Sequence, residues 1–92
     1  PGHGVGTMLM LAVLDEARRR NIERVWLTTT NDNLDAIRFY QRLGFRMIEV
    51  RVGAVDDARK IKPQIPLIGK DGIAIHDEIV MEARIEPFIG NP

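Results

Sequence analysis

This chain predicts an α/β fold, a mixed sheet of about three strands with two main helices, on three observations. A helical apolar stripe over residues 6–20 runs into a β-rich segment, Arg24 to Thr30. A second helical stripe over 34–43 is bracketed by the polar turn Asn31-Asp32-Asn33 and by Gly44. Two later segments, 45–52 and 78–85, alternate as half-buried strands do.

The chain opens on Pro1-Gly2-His3-Gly4-Val5-Gly6-Thr7, a glycine-punctuated stretch that reads as a loop delivering its amides to a helix N-terminus. In the following helix Leu9, Met10, Val13, Leu14 and Ala17 share one stripe, while Asp15 with Arg19 and Glu16 with Arg20 form i,i+4 pairs elsewhere. Met8, Leu11 and Ala12 add apolar surface outside the stripe, so this end of the helix calls for more cover than one sheet supplies. Arg24 to Thr30 reads as a buried strand, with Val25, Leu27 and Thr29 on one face and Trp26 and Thr28 on the other, parallel to whatever precedes the glycine loop. Asn33 then stands as an N-cap, Ala36, Phe39, Tyr40 and Leu43 share a helical face, and Gly44 is the C′ stop. The strands over 45–52 and 78–85 are expected to pair antiparallel, the second with Ile79, Met81, Ala83 and Ile85 on one face. Between them the connection Gly53 to Asp77 contains a candidate short helix over 55–60. It is too long for a plain hairpin and too rich in isoleucine for disorder.

Bulk properties narrow the function classes. Thirteen basic and thirteen acidic side chains cancel, and the longest basic run, Arg18-Arg19-Arg20, sits where a helix dipole favours cations, which argues against nucleic acid as a main partner. No cysteine is present, so there is no disulfide framework, thiolate metal site or cysteine nucleophile, and a reducing cytoplasm is the expected compartment. The longest apolar run, Met8 to Leu14, falls far short of the ~20 residues a membrane span needs, and a soluble protein is expected. The histidines have no metal-ligand spacing. Asp56-Asp57 is a helix-start charge pair, His76 is a solvated residue beside Asp77, and no metal is expected.

Taken alone, the glycine stretch is neither a Walker A loop nor a dinucleotide fingerprint. Paired with Asn33, Ala36, Tyr40, Gly44 and Phe45, it resembles the GNAT superfamily of acyl-CoA N-acyltransferases. That family carries a pyrophosphate loop Arg/Gln-x-x-Gly-x-Gly/Ala and a later helix Asn-x-x-Ala-x-x-x-Tyr-x-x-x-Gly-Phe. Gly4-Val5-Gly6 fits the first motif, with Pro1 where the family has Arg or Gln, and the resemblance covers residues 1 to about 52. It implies that residues 1–92 are a single partial domain, the C-terminal, coenzyme-binding half of a GNAT-like α/β/α fold whose N-terminal strands are missing. It further implies an N-acetyltransferase reaction, direct attack of an amine on acetyl-CoA, with this half inactive alone.

Residue by residue, the resemblance implies that amides of His3, Gly4, Val5, Gly6 and Thr7 hold the coenzyme pyrophosphate, that Asn33 reaches the pantetheine arm, and that Tyr40 protonates the departing thiolate. A phenol of pKa ~10 protonating a thiolate whose thiol pKa is ~8.5 is uphill by roughly 2 kcal/mol, so placement of Tyr40 counts for more than its acidity. From the residues alone, Asn33 is first an N-cap and Tyr40 a core residue with its hydroxyl at the rim. The alternative reading is a non-catalytic coenzyme-binding or dimerisation module of the same fold. For the transferase the expected partner is a small-molecule or peptide amine acceptor, and a second copy of the chain is a further expected partner. The copies would meet through the sheet edge beside Arg24 to Thr30 or through residues 53–77, which could otherwise wall the acceptor pocket.

Overall fold

A computed structural model describes residues 3–86. In chain order it contains α1 (His3–Arg19), β1 (Arg24–Thr30), α2 (Leu34–Arg42), β2 (Arg46–Arg51), α3 (Ala54–Ile61) and β3 (Glu78–Arg84). The chain divides into two compact units, one made of the residues up to Val25 and from Ala83, the other of Trp26–Glu82.

In the first unit, α1 begins earlier than the sequence suggests. The segment expected as a loop is helical from His3, so Gly4 and Gly6 lie inside the helix, and Pro1 and Gly2 lie outside the described residues. The apolar stripe is also narrower. Ala17 is buried and Met10 and Leu14 are half-buried, whereas Leu9 and Val13, expected inside, stand 65% and 49% exposed beside exposed Val5, Met8 and Leu11. A line spaced i, i+4, i+7 is all that one contact seam covers. The two expected ion pairs form, Arg19 to Asp15 at 2.9 Å and Arg20 to Glu16 at 2.8 Å. Asn21 closes the helix in a left-handed conformation, φ 58°. Its N–H donates to Arg18 O at 3.1 Å and the Ile22 N–H to Ala17 O at 2.9 Å, the two bonds of a Schellman cap.

The strands form one sheet in the order β1-β3-β2. The Ile85 N–H donates to Glu23 O at one end of the β1–β3 pair, and the Asn31 N–H to Asp77 O at the other. Eight residues forward along one strand thus match eight residues back along the other, so the pair is antiparallel. β2 and β3 are antiparallel as expected. The described sheet is therefore antiparallel throughout rather than mixed, since a parallel neighbour for β1 is not among the described strands. β1 is a half-exposed strand, not a buried one. Val25, Leu27 and Thr29 are half-buried, while Thr28 is exposed and Trp26 is 55% exposed. β3, flanked on both sides, is buried on both faces over Val80, Met81, Glu82 and Ala83, where a one-sided strand was expected.

An irregularity in β2 sorts its side chains. Met47 pairs with Met81 and Glu49 with Val80, so Ile48 is an extra residue in the strand. Directly paired residues share a face, which places Met47 and Val50 with Met81 and Ile79, and Arg46, Glu49 and Arg51 with Glu82, Val80 and Glu78. Without the bulge, plain alternation would put Met47 among the charges.

The long connection is ordered. α3 is entered through Gly53 at φ 75°, and a hairpin follows in which the Gly69 N–H donates to Ile73 O and the Ile75 N–H to Leu67 O, turning at Gly72, φ 74°. Arg59, whose side chain is only 14% exposed, binds this segment to α3. It donates to the carbonyl oxygens of Ile65, Pro66 and Ile75 and to Asp56 Oδ1. Val55 and Ile75 are buried in this unit.

Candidate functional site

α2 carries both of the site residues expected in the second unit. Asn33 caps it, its Oδ1 accepting from the Ala36 N–H at 3.2 Å, which satisfies one of the orphan donors of the first turn. Tyr40 lies seven residues on, two turns of helix and about 10 Å along the axis, so the two residues share nearly one face. The end of the helix fixes Tyr40. Gly44 adopts φ 99°, its N–H donates to Gln41 O at 3.0 Å, and the Phe45 N–H donates to Tyr40 O at 3.0 Å. That is a second Schellman cap, and its customary apolar contact is present as an edge-to-face pair of the Tyr40 and Phe45 rings with centroids 5.4 Å apart. Phe39 meets the Tyr40 ring in the same manner at 5.3 Å. The spacing Tyr-x-x-x-Gly-Phe is thus a helix-stop device that holds one phenol ring.

Asn33 also lines a cavity of about 240 Å³ with Asp32, Leu34, Asp35, Lys70 and Asp71. Lys70 Nζ sits 2.8 Å from Asp35 Oδ2, and its hydrogen bond and charge hold the Asp35 carboxyl below the usual carboxylate range. Gly69 packs so closely on Asp32 that a Cβ there would fall 2.9 Å or less from three atoms of its side chain. The hairpin of the long connection is in this way seated on the turn that starts α2.

Asn31 secures that seating, a role invisible in the sequence because its partners lie more than 40 residues away. Its Oδ1 accepts from the N–H groups of His76 and Asp77 at 2.9 and 3.0 Å, and its Nδ2 donates to Ala74 O at 2.9 Å. Asn31→Ala strands three backbone groups and is expected to lower stability by about 1–3 kcal/mol in urea unfolding, whereas Asn33→Ala costs only about 1 kcal/mol. His76 is exposed, yet its Nδ1 lies 3.0 Å from both Asp56 carboxylate oxygens, and this contact, with Arg59, lowers the Asp56 pKa. The Asp56-Asp57 pair occupies the first turn of α3, as a helix-start charge pair should. Among the described residues no three His, Cys, Asp or Glu side chains gather where they could hold a metal ion.

The glycine turn belongs to the first unit. Starting the helix at His3 leaves the amides of His3, Gly4 and Val5 without intrahelical acceptors, and brings those of Gly6 and Thr7 into the helical ladder. At Gly4 a Cβ would meet nothing within 4 Å among the described residues, so no packing among them accounts for a glycine in a helix, where it is unfavourable.

The sequence model of the acetyltransferase (GNAT) family matches residues 2–45, the glycine turn through to Phe45. Over those residues the chain is similar to the GNAT acetyltransferase family. The Bacillus subtilis protein YxbD is 42% identical to this chain over 83 residues, covering 90% of the chain and 52% of that protein. Streptothricin acetyltransferase of Streptomyces lavendulae is 46% identical over 48 residues, 49% of the chain and 25% of that protein. Among solved structures, a GNAT family acetyltransferase from Elizabethkingia anophelis with acetyl-CoA bound superposes with a TM-score of 0.76 at 23% identity, over 91% of the chain and 52% of that structure. The chain spans about half the length of the curated relatives it matches over most of its own length. The GNAT match ends at Phe45, and it therefore contains both motifs but not the long connection. No described helix is long and apolar enough to cross a membrane.

Proposed function

We propose that this chain is a single coenzyme-binding domain of an N-acetyltransferase that moves an acetyl group from acetyl-CoA to an amine. The observation that carries the reading is the phenol of Tyr40, held on the helix face that begins at Asn33, in a chain that also carries an unexplained helical glycine at Gly4. The residues fit the group. The open amides of His3, Gly4 and Val5 suit a pyrophosphate, and the missing Cβ at Gly4 allows it to approach the backbone. Asn33 keeps an Nδ2 donor for the pantetheine arm while its Oδ1 caps the helix.

Bound acetyl-CoA supplies a thioester whose carbonyl carbon bonds to the amine nitrogen as the carbon–sulfur bond breaks. Tyr40 gives its phenolic proton to the sulfur that leaves, and the base that takes the proton from the amine lies outside this chain's assigned residues. The acceptor is a small-molecule or peptide amine, the setting is the cytoplasm, and the whole enzyme works as a homodimer.

Two measurements test the reading. Helix-terminus contacts supply about 0.3–2 kcal/mol each, while micromolar affinity needs about 8 kcal/mol. Calorimetry on the 92-residue chain is therefore expected to show acetyl-CoA binding weaker than micromolar and no turnover. Submicromolar binding by the chain alone would contradict a half-site. In Gly4→Ala, stability is expected to rise by up to about 1 kcal/mol while coenzyme affinity drops, since a methyl at that turn favours helix and obstructs a phosphate. If stability and affinity rise together, the pyrophosphate does not sit there.

A further inference from the structure

β2 is paired to β3 along one side, yet every one of its six residues is exposed. Its outer edge has no neighbour among the described strands. Met47, Val50 and Val52 stand 52%, 55% and 83% exposed, and Ile48 at the bulge is 52% exposed. A strand with an open edge and this much exposed apolar surface is a template for another strand.

The sequence of β2 specifies which strand fits. Placed antiparallel against a second copy of itself with Val50 facing Val50, it sets Glu49 opposite Arg51 twice and Val52 opposite Ile48 twice. Opposite charges then face each other on the charged side, and valine faces valine on the other. Shifting the centre to lie between Ile48 and Glu49 would set Arg46 against Arg51, a like-charge pair. Arg51 is free to serve both chains, since its ion pairs within the chain, to Glu49 and Glu78, are long at 3.8 and 3.7 Å and partly exposed. One register is thus self-complementary in charge and in apolar content, as an isologous two-fold contact requires. We infer that the outer edge of β2 is a homodimer interface in which two copies of this chain pair antiparallel about Val50. This interface differs from the two sequence-derived candidates, the β1 edge and residues 53–77, and does not depend on the acetyltransferase reading.

The chain has no cysteine, so single thiols report the register directly. Across a self-pair the two Val50 Cα atoms stand about 4.5–5.5 Å apart, within disulfide range, whereas two Val52 residues lie four positions out of step. Oxidised Val50→Cys is expected to run as a covalent dimer and Val52→Cys to remain monomeric. Light scattering on the native chain should give twice the monomer mass. Glu49→Arg should abolish that doubling by setting arginine against arginine, and Glu49→Arg combined with Arg51→Glu should restore it. A monomeric native chain, equal cross-linking at 50 and 52, or a charge swap that fails to restore the dimer overturns the proposal.

Discussion

On the acetyl-transfer reading proposed above, Tyr40→Phe is expected to lower kcat of the whole protein by about 10²-fold or more, with little change in KM for acetyl-CoA. The substitution keeps the ring, and with it the edge contacts to Phe39 and Phe45 and the Schellman cap that runs through the Tyr40 carbonyl. Only the hydroxyl is lost, so folding should be unaffected and any deficit belongs to the chemistry. The hydroxyl is assigned to protonating the sulfur as it leaves, and the deficit should therefore depend on how much the leaving thiolate needs a proton. An acetyl thioester of a more acidic thiol leaves without help, and the gap between Tyr40→Phe and the parent enzyme should narrow sharply with such a donor. A variant equally impaired with both donors would have lost a binding contact instead. One with full activity would return Tyr40 to the core role its helical position suggests, and would favour the non-catalytic reading of the chain.

Legibility from sequence followed the range of the interactions. The second helix was readable almost to the residue because its start and stop are local: Asn33 bonds three residues ahead and Gly44 closes a turn on Gln41. α1 stopped close to where Asn21 indicated, but its start was misplaced, since glycines at a helix N-terminus read as loop while an open helical turn tolerates them. The β2 bulge was hidden because Met-Ile-Glu-Val alternates plausibly in either register, and only pairing to β3 decides which residue is surplus. Asn31 and Arg59 gave no signal at all. Each works by bonding main-chain groups elsewhere in the chain, Asn31 more than 40 residues away and Arg59 as far as Ile75, and main-chain groups leave no trace in residue type.

The other large effect concerns the residue that closes α2. Phe45 is 2% exposed, occupies the position just past the helix stop, and places its ring edge against Tyr40. Phe45→Ala removes a buried aromatic side chain and leaves a cavity that a capped helix end cannot collapse into, which is expected to cost about 3–5 kcal/mol. Small domains hold only about 5–15 kcal/mol in total, so the urea midpoint should fall steeply with an unchanged slope. The same cavity frees one side of the Tyr40 ring. The two rings should therefore be coupled, the double variant Tyr40→Ala with Phe45→Ala costing about 0.5–1.5 kcal/mol less than the sum of the two single variants. Activity separates packing from placement. At temperatures where Phe45→Ala remains folded, kcat should still be depressed because the phenol is no longer held. Phe45→Leu, which refills most of the volume without an aromatic edge, should recover more stability than kcat. If Phe45→Leu recovers both in proportion, the aromatic edge of Phe45 serves the fold alone and Tyr40 is positioned by its helix without it.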